Sequence, residues 1–90
     1  MKEQLKRIAD HYGKDAQAIQ CAEELCELSA AILQYRRRRF SAEFDHVIEE
    51  IADVEIMLEQ IKHLYGIGSE FIDEIKRDKI DRQITRIESQ

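Results

Sequence analysis

An all-α fold is predicted by three features of this 90-residue chain. Its two longest segments repeat apolar residues at helical spacing, no strand-like alternation occurs, and proline is absent. The only glycines stand at 13, 66 and 68, where they punctuate the chain. A first helix is predicted over Lys2–His11, ended by Tyr12-Gly13. Asp15 then caps a second helix that reaches Tyr35 or slightly beyond, and the run Arg36–Arg39 places positive charge at its C-terminus. Ser41 caps a third helix to Tyr65, Gly66-Ile67-Gly68 is a turn, and Ser69 caps a fourth helix to Ile87. No internal repeat or low-complexity linker interrupts this order, so residues 1–90 form a single domain.

The second helix carries apolar or small residues over roughly 200° of its circumference, Leu25, Leu28, Ile32, Cys21 and Cys26 among them. The third has a stripe nearly as wide: Val47, Ile51, Val54, Leu58, Ile61 and Tyr65. Two such helices joined by a short loop are expected to form a long antiparallel hairpin. Their combined apolar width exceeds what one further short helix covers, so the chain is expected to assemble into a homo-oligomeric helical bundle, a homodimer or homotetramer.

A net charge of −5 argues against duplex nucleic acid as a partner. No apolar run is long enough to span a membrane, and Met1–Asp10 has no signal-peptide pattern. Cys21 and Cys26 stand five apart, about 140° around a helix, which rules out a zinc pair or an intrahelical disulfide. Both are expected as buried packing residues, and free thiols suit a cytoplasmic setting.

The unusual residue is Glu50, which lies between Met57 and Val54 within the apolar arc of the third helix, with Asp53 just off its edge. Glu24 and Glu27 repeat the i, i+3 spacing on the second helix. Glu27 precedes the intervening loop by about as many residues as Glu50 follows it, so the pairs converge in an antiparallel hairpin. A buried carboxylate needs a compensating cation. No lysine or arginine lies between Lys14 and Arg36 or between Arg39 and Lys62. Four convergent carboxylates make a hard oxygen site suited to Mg²⁺ or Mn²⁺ rather than zinc. Glu23, Glu43, Asp45, Glu49, Glu55 and Glu59 are expected as solvated surface charges. A di-iron bundle would need two Glu-x-x-His motifs, and the chain has only Glu43–His46.

The run Glu23-Glu24-x-x-Glu27 followed by Glu49-Glu50-Ile51-Ala52-Asp53 resembles the MazG-like nucleoside triphosphate pyrophosphohydrolases, of the all-α NTP pyrophosphatase group. The resemblance covers Asp15 to Arg86. It implies Mg²⁺-dependent cleavage between the α and β phosphates, giving a nucleoside monophosphate and pyrophosphate. It further implies metal binding by Glu24, Glu27, Glu50 and Asp53, a homodimer or homotetramer, and active sites built partly across subunits. Glu24 or Glu27 would serve as the catalytic base. The family often has a basic residue where this chain has Gln20. Lys79 and Arg82 on the fourth helix resemble its phosphate-binding cations, although Asp73, Asp78, Asp81 and Glu88 offer them salt bridges on the same helix. Arg36–Arg39 is explained as a helix terminus, and Tyr12, Tyr35, Phe40 and Phe44 as aromatics near helix ends that pack or flank a base. The alternatives are a non-catalytic helical interaction module and a dedicated phosphoribosyl-ATP-type pyrophosphohydrolase.

Overall fold

Helices take up nearly the whole chain. The computed structural model describes residues 1–90, in which α1 (Lys2–Tyr12), α2 (Lys14–Arg38), α3 (Ser41–Leu64) and α4 (Ser69–Glu88) follow one another with no strand. The expected order holds, but the expected caps do not. Asp15, Ser41 and Ser69 lie inside the first turns of their helices, and the cap positions fall to Gly13, Phe40 and Gly68 without a side-chain hydrogen bond. Backbone conformation decides these starts: Gly13 takes φ 88°, a region open to glycine but strained for other residues, so α2 begins directly behind it.

The helix ends are closed from the backbone. Arg39 adopts the left-handed conformation at φ 60°, and its N–H bonds the carbonyl of Tyr35 at 2.8 Å. Its side chain compensates locally, donating from Nε to the Arg36 carbonyl at 3.2 Å and lying over the Tyr35 ring. Behind α3, the Ile67 N–H bonds the Lys62 carbonyl and the Gly66 N–H bonds that of His63, the paired bonds of a Schellman stop with Gly66 at φ 66°.

Helices α2 and α3 form the main packing pair. Along α2 the positions Gln17, Cys21, Glu24, Leu28, Ala31 and Tyr35, each buried or half-buried, alternate steps of four and three, with Ala18 and Gln34 half-buried beside them. Along α3 Val47, Glu50, Val54, Met57 and Ile61 keep the same rhythm, with Glu43 one step before them and Gln60 to Leu64 all buried or half-buried where α1 also packs. That 3.5-residue period is the signature of coiled-coil packing. Tyr35 and Phe44 meet nearest the connection, with ring centroids 5.3 Å apart. Gln17 meets Gln60 farthest from it, donating from Nε2 to Oε1 at 2.7 Å. Both glutamines are buried, so each amide partly satisfies the other out of reach of water. Helix α1 packs mainly on α3, burying Ala9 and setting Asp10 2.8 Å from His63.

Two packing expectations are corrected. Cys21 is buried but Cys26 is exposed. Ile51, Leu58 and Tyr65, expected on the inner stripe of α3, are exposed as well. Both helices carry more apolar circumference than one partner can cover, and the seam that closes is the one containing Glu50, Val54 and Met57. The fourth helix buries nothing and makes no substantial contact with the other three.

Candidate metal centre

Glu24 and Glu27 stand one turn apart on α2, and Glu50 faces them from the middle of α3. One carboxylate oxygen from each lies within 4.8 Å of the other two. The site is graded in depth: Glu50 is buried at 6% exposure, Glu24 is half-buried and Glu27 is exposed. Because Glu24 and Glu50 occupy seam positions, the packing itself drives their side chains toward each other. Glu27 sits at the seam's edge.

Little in the chain neutralises these acids. Gln20 donates from Nε2 to Glu24 Oε1 at 3.0 Å, a neutral amide that brings no positive charge to the group. His46 Nε2 lies 3.8 Å from Glu50 Oε1, beyond hydrogen-bond length. No lysine or arginine pairs with any of the three. Oε2 of Glu24 and Oε2 of Glu50 are buried with no hydrogen-bond partner. A buried carboxylate oxygen left without a donor is costly. Two of them beside a third acid fit a hard divalent cation, whose oxygen ligands would be Glu24, Glu27 and Glu50.

Burial raises the Glu50 pKa from the ordinary value of 4.5, reinforced by the charges of Glu27, Glu24 and Asp53 and opposed by His46. Above 4.5 the folded chain therefore still holds a proton that the unfolded chain has released. Unfolding free energy falls as pH rises through that interval, and the cost is complete once the pH exceeds the raised folded-state value. Metal-free native protein should thus lose melting temperature relative to Glu50→Gln as pH climbs from 4.5. Saturating Mg²⁺ should close the gap at neutral pH. Thermal melts of both proteins in chelator and in Mg²⁺ check this; a gap that does not vary with pH would contradict it.

The other expected site residues are placed less centrally. Asp53 is exposed and lies outside the three-acid group, though its charge acts on Glu50. Lys79 and Arg82 line a shallow basic depression with Gln83 and Arg86 on α4, which packs on neither α2 nor α3, so one chain does not bring them onto the acids. Phe40 and Tyr12 are exposed, while Arg36–Arg39 ends α2 as expected.

Glu43, expected on the surface, has a side chain only 16% exposed; its Oε1 is 3.5 Å from Arg38, and Oε2 is buried without a partner. Its place one seam step before Val47 was the available signal. An open groove of about 720 Å³ along α1, lined by Leu5, Ile8 and Tyr12 with Ile56 of α3, shares no residue with the acidic group. No protein-family model matches the chain, and neither a curated protein nor a solved structure does.

Proposed function

We propose that this protein is a Mg²⁺-dependent nucleoside triphosphate pyrophosphohydrolase of the MazG-like kind, converting (d)NTP to (d)NMP and pyrophosphate in nucleotide-pool house-cleaning. The observation that supports it is the convergence of Glu24, Glu27 and Glu50, two of them with buried oxygens that nothing in the chain satisfies. These three residues would hold Mg²⁺, or Mn²⁺, with Asp53 joining from the rim. When bound, the ion supplies Lewis-acid polarisation and a more acidic bound water, and it gives an anionic polyphosphate a reason to approach an acidic surface.

The chain's own residues then have distinct parts. Water adds to phosphorus at the α–β bridge, the anhydride bond breaks, and pyrophosphate leaves. Glu27, the most exposed of the three, or Glu24 takes the proton released from that water. Glu50 stays out of solvent and contributes charge at fixed depth. Lys79 and Arg82 would grip the phosphate tail from the α4 of another subunit, since α4 does not pack on its own α2 or α3.

This reading takes α2 and α3 as a long antiparallel hairpin, supported by the Tyr35–Phe44 and Gln17–Gln60 pairings, within a homodimer or homotetramer. No helix is long and apolar enough to cross a membrane. The free thiols of Cys21 and Cys26 favour a cytoplasmic setting. The many exposed apolar side chains favour a second reading, a helical interaction module without catalysis.

Pyrophosphate release from NTPs, dNTPs and phosphoribosyl-ATP, with Mg²⁺ and with chelator, tests the assignment. Release is expected only with Mg²⁺, and cleavage of phosphoribosyl-ATP alone would mark the dedicated enzyme. The enzyme reading is lost if nothing in the panel is cleaved and Glu50→Gln leaves Mn²⁺ affinity unchanged.

A further inference from the structure

Charge is segregated along α3. Its only lysine or arginine is Lys62, in the last turn, whereas seven acids occupy the turns before it. That last turn meets Lys2 and Lys6 of α1 and Ser69, the first residue of α4, around a pocket of about 150 Å³. His63 lines the pocket beside Lys62, and Leu5 and Ile67 give it an apolar wall. Glu59 is the one carboxylate in the lining, against three lysines, in a chain whose net charge is −5.

The acids at hand do not use up this positive charge. Lys62 Nζ lies 2.7 Å from Glu59, on a side chain only 24% exposed. Lys6 meets an acid only at 3.7 Å, the exposed Glu3 outside the pocket, and solvent screens such a pair. Lys2 has no ion-pair partner at all. Asp10 takes Nε2 of His63 at 2.8 Å, which fixes the ring between α1 and α3 and leaves Nδ1 unpaired. Ser69 caps nothing, because the cap position falls to Gly68, so its hydroxyl is free to donate.

We propose that this corner of α1, α3 and α4 binds a phosphate-class oxyanion: phosphate, pyrophosphate or the terminal phosphate of a larger molecule. Lys2, Lys6 and Lys62 donate charge-assisted hydrogen bonds to its oxygens, and Ser69 adds a neutral one. Size limits what enters. Sites for whole drug-sized ligands hold about 300–1,000 Å³, so this pocket takes the anion and not a nucleoside. The acidic group is far away: Lys62 follows Glu50 by twelve residues, roughly 18 Å along α3 at the helical rise. Occupancy joins the start of α4, a helix that buries nothing, to α1 and α3. The inference needs neither the metal nor the proposed reaction.

Isothermal titration of the metal-free full chain with pyrophosphate, phosphate and ATP, at constant ionic strength, tests the site. Without metal the clustered acids repel anions, so they add no binding of their own. Saturable single-site binding of pyrophosphate is expected. Lys6→Gln/Lys62→Gln should weaken it at least about tenfold while keeping helical circular dichroism. Should that variant lose helicity, Lys2→Gln/Lys6→Gln takes its place, both residues being exposed on α1. Lys79→Gln/Arg82→Gln should leave the affinity as it was. ATP that binds as tightly as pyrophosphate marks a phosphate carried on a larger molecule as the occupant, and weaker ATP binding marks the free anion. The proposal is overturned by an absence of saturable binding, by binding that survives the lysine substitutions, or by binding lost with the α4 pair. Glu50→Gln should spare metal-free pyrophosphate binding while costing Mn²⁺ affinity, so the anion site and the enzyme reading can each fall alone.

Discussion

Glu50→Gln should slow the proposed Mg²⁺-dependent pyrophosphate release at least about 10²-fold without unfolding the protein. The substitution keeps the side chain's size at a seam position and removes one charge from a group whose two other carboxylates lie within 4.8 Å. Loss of a group that fixes transition-state charge stabilisation costs about 10²- to 10³-fold in rate. Mn²⁺ affinity should fall by at least the roughly 10- to 100-fold that loss of even an outer-sphere partner costs. Metal-free Glu50→Gln should melt no lower than the native protein at neutral pH, because the charge it removes is the one that burial and Glu27 disfavour. Pyrophosphate release, Mn²⁺ titration and melting in chelator measure the three effects separately. Undiminished turnover in Glu50→Gln would show that the acids are not the reaction centre. A lower melting temperature with intact metal affinity would make Glu50 a packing residue. Under the interaction-module reading, Glu50→Leu stabilises the chain and leaves its function whole.

The largest loss of stability is expected from Met57→Ala. Only Ala9, Cys21, Ala31, Val54 and Met57 form the buried apolar core, and Met57 has the largest side chain among them. Truncating a buried methionine typically costs about 2–5 kcal/mol. A chain this size has a total stability of only roughly 5–13 kcal/mol. Met57 also lies 3.9 Å, through its sulfur, from the amide of Gln60, so a cavity there would loosen the buried Gln17–Gln60 pair as well. Urea unfolding should show a lower midpoint, whereas Leu58→Ala, one residue on and exposed, should cost far less in the monomer. If both changes cost the same, the inner and outer faces of α3 have been misassigned.

Much of the acid site was legible before any coordinates. Glu50 stood out because a carboxylate on an apolar arc breaks the pattern, and the two i, i+3 pairs lay at matched distances from one turn. Spacing of that kind reports the face of a helix but not the depth of a side chain. Asp53 shares the i, i+3 logic and yet is exposed, because it lies off the seam that holds Glu50. Cys26 lay on the same broad arc as Cys21 and was expected inside with it. An arc of roughly 200° has room for two seams, and local sequence does not rank them.

What the chain order alone determined is the helical content, the four elements, the glycine stops near 13 and 66, and three of the four acids expected together, Glu24, Glu27 and Glu50. All of these depend on periodicity and on backbone freedom within a few residues. What only tertiary structure decided is which half of each apolar circumference closes. It also decided that α4 finds no cover within the chain and that Glu43 sinks while Ile51 and Leu58 surface. Those outcomes depend on the pairing of α2 with α3, in which each helix satisfies one face of the other and the rest of both stays exposed.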